Sequence, residues 1–200
     1  MTGERSIPTF SASLASSAPI GRWLLGMLAS LFLIFSTGSA VAATDKAQLG
    51  KDAQAALQSL YAEVPAAKAL GEKAKAILVF PSITKAGLVV GGQYGEGVLI
   101  KGGKTAGYYN SAGASIGLQA GVQKYGYTMF FMTDKAYQAF DKVEGYEVGV
   151  GPNVVVVDAG MAKNLTTATM KDDIYAFIFG QKGLMAGIGL QGTKITKLDK

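Results

Sequence analysis

Glycine interrupts this chain every few residues from Gly87 to Gly126 and again from Gly180 to Gly192, and the apolar residues there fall in the short runs it leaves. Runs of four to six such residues bounded by Gly or Pro read as strands rather than helices. Ile77–Phe80 ends at Pro81, Gly87–Val90 at Gly91-Gly92, and Gly97–Ile100 at a hairpin-like turn over Lys101–Lys104. Ser115–Gln123 alternates, with Ile116, Leu118, Ala120 and Val122 on one face. Tyr127–Met132, Val154–Val157, Tyr175–Phe179, Leu184–Leu190 and Lys194–Leu198 supply further strands. Glycine within strands implies bulges, sharp curvature or close backbone approach.

Before these runs the period changes. Leu49, Ala53, Ala56, Leu57 and Leu60 recur at three- and four-residue steps, which predicts a helix over Thr44–Leu60 capped by Thr44 or Asp45. Pro65 suits the first turn of a second short helix, Pro65–Ala74. Thr133 caps a third over Asp134–Val143, with Ala136, Tyr137 and Phe140 as its apolar stripe. The expected class is α+β. N-terminal helices precede a strongly curved, mostly antiparallel, glycine-rich sheet or partly closed barrel with one inserted helix.

The first 42 residues read as a secretory signal peptide. Arg22 precedes the apolar run Trp23–Phe35, and Ala40-Val41-Ala42 is a small-residue cleavage site. The strictly apolar stretch is shorter than the roughly 20 residues that a spanning helix needs. The domains then read as residues 1–42, leader; 43–75, helical segment; and 76–200, β-rich core, with 43–200 forming one domain. Loss of Glu4, Arg5 and Arg22 with the leader takes the net charge from +5 to +4. The expected address is exported: periplasmic, envelope-associated or secreted. The chain has no cysteine, so packing alone holds a fold destined for an oxidising compartment.

From Ala43 to Lys200 there is no histidine, cysteine or arginine. The usual general base near neutral pH, the usual thiol nucleophile and the usual bidentate clamp for phosphate are therefore all missing. Binding, not catalysis, is the expected role, with no catalytic residues, cofactor or metal. Nucleic acid is not an expected partner, because the lysines are spread evenly and no arginine is available to read bases.

The motifs that resemble sites dissolve on inspection. Gly187–Gly192 matches G-x-G-x-x-G literally, but no helix and no acid about 20 residues later follow it. Gly91–Gly97 lacks the Gly-Lys-Ser/Thr ending of a phosphate loop and reads as a tight turn. Asp172-Asp173, with Asp158, reads as a solvated acidic turn rather than a metal site. Glu96, flanked by glycines, is the carboxylate to watch. Tyr94, Tyr108, Tyr109, Tyr125, Tyr127 and Tyr146 fall near predicted strand ends, a position that suits wet–apolar boundaries.

Several blocks then resemble one family in the right order. Ala76–Pro81 (AILVFP) and Lys85–Gly97 (KAGLVVGGQYGEG) resemble the first block of the SYLF domain. Ser115–Tyr127 with Phe130–Met132 resembles its middle block. Gly149–Asp158, Tyr175–Phe177 and Lys182–Thr193 resemble its last. The resemblance spans about Leu57 to Leu198. It implies a lipid-binding module. Eukaryotic SYLF proteins bind phosphoinositides and are tied to actin assembly, often beside an SH3 domain, while bacterial relatives are exported single-domain proteins. Membrane contact in the family is associated with the N-terminal amphipathic segment and nearby basic residues, which here correspond to Lys46, Lys51, Lys68, Lys73 and Lys75. The leader and the lack of an SH3 region depart from the eukaryotic pattern, so anionic lipid headgroups in general replace phosphoinositide and actin as the expected partner. Lys85, Tyr94 and Glu96 in the glycine-rich turns complete the expected lipid-contacting set.

Two other readings accompany this one. A protein-interaction or scaffold role is not separable from lipid binding by sequence. A small outer-membrane β-barrel would suit the alternating strands and tyrosines. The final Lys197–Lys200 and the unbroken Val154–Val157 run oppose it. An enzyme built on Glu96, Asp158 or Lys85 ranks lowest, since no nucleophile–base pair is visible.

Overall fold

A computed structural model describes residues 45–199 except 88–89, 117–120, 151–152, 167, 181–182, 185–189 and 191. The described residues belong to one compact unit, Thr44–Lys200. The proposed leader and its cleavage site lie outside the described residues.

Helix α1 (Lys46–Glu63) buries Leu49, Ala53, Leu57 and Leu60, the stripe that the spacing predicts. Asp45 caps it by accepting from the Ala47 amide, and the helix runs three residues past the expected Leu60. Helix α2 (Pro65–Gly71) follows after the single residue Val64 and starts on Pro65. Its end is three residues earlier than predicted.

The strands are β1 (Ala76–Gly87), β2 (Val90–Lys101), β3 (Lys104–Ile116), β4 (Gly121–Phe131), β5 (Tyr146–Glu147), β6 (Val154–Val157), β7 (Ile174–Gly180), β8 (Gly183–Leu184) and β9 (Lys194–Leu198). Helix α3 (Asp134–Asp141) follows β4 and helix α4 (Ala159–Asn164) follows β6. The sheet order is β5-β9-β3-β2-β1-β4-β7-β6, with β8 on β7. All pairings are antiparallel except β6 with β7. The result is the expected α+β class, with the sheet curled into a half-barrel.

Both faces of the sheet are covered at its centre, which explains the continuous apolar run Ala76–Phe80. Ile77, Val79, Val98, Ile100, Phe130, Tyr175 and Phe177 pack beneath α1 and α2. Leu78, Phe80, Leu99, Met129, Phe131 and Ala176 point the other way, into the curl, with Ala136 and Phe140 of α3. The Phe140 ring lies 4.9 Å from Phe131, 5.1 Å from Tyr109 and 5.3 Å from Tyr146.

Five sequence expectations need correction. Pro81 does not end β1. The ladder skips there, between Val79 and Ser82 toward β2 and between Phe80 and Ile83 toward β4, so the missing proline N–H falls in a bulge and the strand continues. Gly91–Gly97 is not a turn but lies within β2, paired on both sides. Lys104–Ile116 escaped notice because its small and polar residues have no apolar alternation, yet neighbours on either side hold it as a 13-residue strand. Ser115–Gln123 is divided between the end of β3 and the start of β4, where Gly121 has φ +135°. The inserted helix has a companion, α4, whose N-cap Asp158 accepts from the Met161 amide at 2.8 Å.

The hairpin-like turn after Ile100 forms as expected, with Gly102 at φ +57° and Gly103 at φ +75° closing β2 onto β3. Of the expected Leu184–Leu190 strand, Leu184 belongs to β8, and residues 185–189 lie outside the described residues.

Candidate functional site

The expected lipid-contacting residues do not form one patch. Lys46 and Lys51 sit on the exposed side of α1. With Gly50, Gln54, Thr105 and Tyr108 they line a surface groove of about 490 Å³. The helical period brings Lys46, Gly50 and Gln54 onto one side, and β3 supplies the opposite wall. The Lys46 ammonium lies 5.8 Å from the centre of the Tyr108 ring, within cation–π range. The lining residues include two cations and no carboxylate. Asp52, the next residue on α1, accepts from Gln48 at 2.8 Å.

Lys68 and Lys73 are exposed on and just beyond α2. Lys75 makes a 3.8 Å ion pair with Asp134 at the start of α3, on an exposed surface where such a pair contributes little. Lys85 lies ten residues further along the extended β1, about 30 Å from Lys75 at the usual rise per residue. Tyr94 and Glu96 lie on β2, where the Tyr94 hydroxyl donates to a Glu96 carboxylate oxygen at 3.2 Å. The eight expected residues thus divide into the α1 groove pair, an α2 group and a β1–β2 group.

The tyrosines also separate. Tyr94 and Tyr108 are half-exposed, as boundary residues should be, but Tyr109, Tyr125, Tyr127 and Tyr146 are buried. Inside the curl, Tyr125 donates to the Gln93 side-chain oxygen at 2.7 Å, and the Gln93 amide donates to Thr193 Oγ1 at 2.8 Å. Tyr127 donates to Ser111 Oγ at 2.7 Å. These bonds join β1's neighbours β2 and β4 to β3 and to the residue before β9. Tyr125, Gln93, Thr193, Tyr127 and Ser111 thus satisfy one another, which makes this network structural, whereas the Tyr109 hydroxyl is buried without a hydrogen-bond partner among the described residues. No signal in the sequence distinguished these tyrosines from boundary ones, because the curl alone turns them inward.

The carboxylates are likewise committed to structure. Asp173 accepts from Thr133 Oγ1 at 2.8 Å, Asp172 from the Tyr175 hydroxyl at 3.1 Å, and Asp158 caps α4. Among the described residues no three His, Cys, Asp or Glu side chains come together as a metal site. Of Gly187–Gly192, only Leu190 and Gly192 are described; Leu190 is buried in the core and Gly192 turns at φ +72°.

Burial pushes the Tyr61, Tyr109 and Tyr125 phenols up to about 12, with Glu72 adding to the shift at Tyr61 and Asp141 at Tyr109. They are therefore neutral near pH 7. Their unfolded counterparts ionise near 10.0. The folded pKa is the higher one, so their contribution to stability is full below about 10 and is lost as pH rises toward about 12. In an alkaline titration, phenolate absorbance from these buried tyrosines should appear only as far-ultraviolet circular dichroism collapses. Titration of all nine tyrosines near pH 10 with the fold intact would contradict this.

Residues 112–200 match the model of the Ysc84 family, described as Las17-binding protein actin regulator. Over this span, which begins within β3, the chain is thus similar to the Ysc84 (SYLF) domain. Domains of this family are of the lipid-binding, actin-regulator type. The blocks at Ala76–Pro81 and Lys85–Gly97, like the α1 groove's lysines, precede the matched residues. No curated protein matches the chain. Among the described residues no helix is long and apolar enough to cross a membrane.

Proposed function

We propose that this chain is a non-enzymatic lipid-binding protein that recognises anionic phospholipid headgroups, and that it works in the bacterial cell envelope after export. The observation that carries this reading is the α1 groove. Lys46 and Lys51 flank a concavity without carboxylates, and Tyr108, Thr105 and Gln54 offer an aromatic face and polar groups beside them. A phosphate needs cations and donors of this kind. The lining offers no nucleophile with a base beside it, and the buried tyrosines stay protonated at neutral pH. The leader supports the exported address.

Each lysine at an anionic surface contributes about 1 kcal/mol. The double variant Lys46→Gln/Lys51→Gln should therefore bind roughly 30-fold more weakly to phosphatidylcholine vesicles containing phosphatidylglycerol. Wild-type binding should fall with salt and be absent on pure phosphatidylcholine. Undiminished binding by the double variant would remove the groove from the reading.

A protein-interaction role draws support from a different feature. Val64, Pro65 and Ala66 face Ala159, Ala162 and Leu165 of the α4 region across a mostly apolar trough of about 520 Å³, with Glu63 and Lys163 also in its lining. The barrel reading fares worse. Among the described residues the sheet is an open path from β5 to β6 with α1 and α2 packed on one face, whereas strands that span a membrane need a closed ladder.

A further inference from the structure

Among the described residues, the four central strands extend beyond the pairings of their flanking strands. β9 pairs with β3 only over Tyr108–Ala112, and β7 pairs with β4 only over Gly126–Phe131. The β3-β2-β1-β4 ribbon continues past both, through Gly113–Ile116, Val90–Gly92, Ala86–Gly87 and Gly121–Tyr125. Near its end stand the two most exposed large apolar side chains among the described residues, Val90 at 70% and Val122 at 71%.

Register places these valines on one face. Ala86 pairs with Val122 on one side and with Gly92 on the other, and Val90 is two residues from Gly92. One step back along the same face, Thr84 pairs with both Lys124 and Tyr94. The side chains between the valines are small, Ala86 and Gly92, and both valines stand exposed. Apolar tips are thus backed by a half-exposed tyrosine and an exposed lysine. That order matches the depth profile of a membrane interface, where aliphatic groups go deepest and tyrosine and lysine stay at headgroup level. Charge agrees. Ser82–Gly95 and Ser111–Tyr125 contain Lys85 and Lys124 and no acid. Tyr108 shares this face of the sheet, since Val98–Tyr108 and Tyr94–Ala112 are pairs at even spacing along β2 and β3.

We infer that the end of this ribbon is a membrane-docking tip: Val90 and Val122 enter the interface of an anionic bilayer, and Lys124 and Tyr94 on the same face hold it at headgroup depth. This rests on the lipid-binding reading and adds the element that inserts. The α1 groove would then recognise headgroups from the same face of the sheet, while the tip supplies apolar anchoring that salt does not screen.

Two measurements test it. Val90→Ser/Val122→Ser changes only exposed side chains, so its thermal midpoint should match wild type. Its partition onto phosphatidylcholine–phosphatidylglycerol vesicles should fall about tenfold. The chain lacks cysteine, so Val122→Cys offers a unique labelling point. An environment-sensitive fluorophore there should shift to the blue on vesicle addition, while the same label at Val143→Cys, exposed beyond α3, should not. If wild type binds but the serine variant binds equally and the Val122 label does not shift, the tip is overturned and the groove reading stands. If wild type binds no vesicles at all, both are overturned.

Discussion

Replacing Phe130 with alanine is expected to destabilise the fold by about 3–5 kcal/mol, the range for removing a fully buried phenyl ring. Phe130 has no solvent exposure and lies between Ile77 of β1 and Tyr175 of β7 in the ladder. Its ring meets Phe177 edge-on at 5.6 Å and stacks near Tyr61 of α1 at 6.3 Å. It therefore links the helical layer to the sheet. The hole left behind cannot close easily, because β1 and β7 are fixed by hydrogen bonds on both sides of β4. The urea midpoint should drop with the slope of the transition unchanged. A cost below about 1 kcal/mol would mean that α1 settles into the space and that the helix layer is not rigidly seated.

Gly97→Ala tests the other device, the bulge at Pro81. A Cβ on Gly97 would stand 2.6 Å from the Val79 carbonyl oxygen and 2.5 Å from the Phe80 ring. Both belong to the irregular stretch of β1 where the ladder skips. The ring can turn only within a packed core, and the carbonyl oxygen belongs to the backbone. Overpacking of this kind costs about 1–3 kcal/mol, and the backbone contact puts the expectation near 3. Gly50→Ala is the natural control. Nothing lies within 4 Å of its added Cβ, and on α1 it should gain about 0.5–1 kcal/mol. At roughly 2–4 °C per kcal/mol for a domain of this size, thermal melts should move the two variants in opposite directions. Equal midpoints would show that the bulge shifts freely and that Gly97 is not what admits it.

The candidate site was only half legible. The lysines of α1 were visible because helical spacing separates Leu49, Ala53 and Leu57 from Lys46 and Lys51. Their partner Tyr108 was not, because it comes from a strand without apolar alternation, more than 50 residues away. Lys75 and Lys85 were grouped by chemistry, but an extended strand separates them, and Asp134 engages the first. Val90 and Val122 read as strand interior, yet the structure leaves both exposed near the end of the ribbon, beyond the described pairings of β7 and β9.

Local pattern by itself determined the α+β class, the cap at Thr133, a cap at Thr44 or Asp45, the proline start of α2, the glycine turn after Ile100 and the apolar strand at Ile77–Phe80. These depend on interactions within a few residues, which composition and spacing encode directly. The tertiary structure decided the insertion of β9 between β5 and β3, the passage of β1 through Pro81, the inward turn of Tyr125 and Tyr127, and the division of the lysines into separate groups. Strand partners are chosen by register between segments far apart in the chain, and two adjacent strands stabilise a segment whose own residues carry no strand preference.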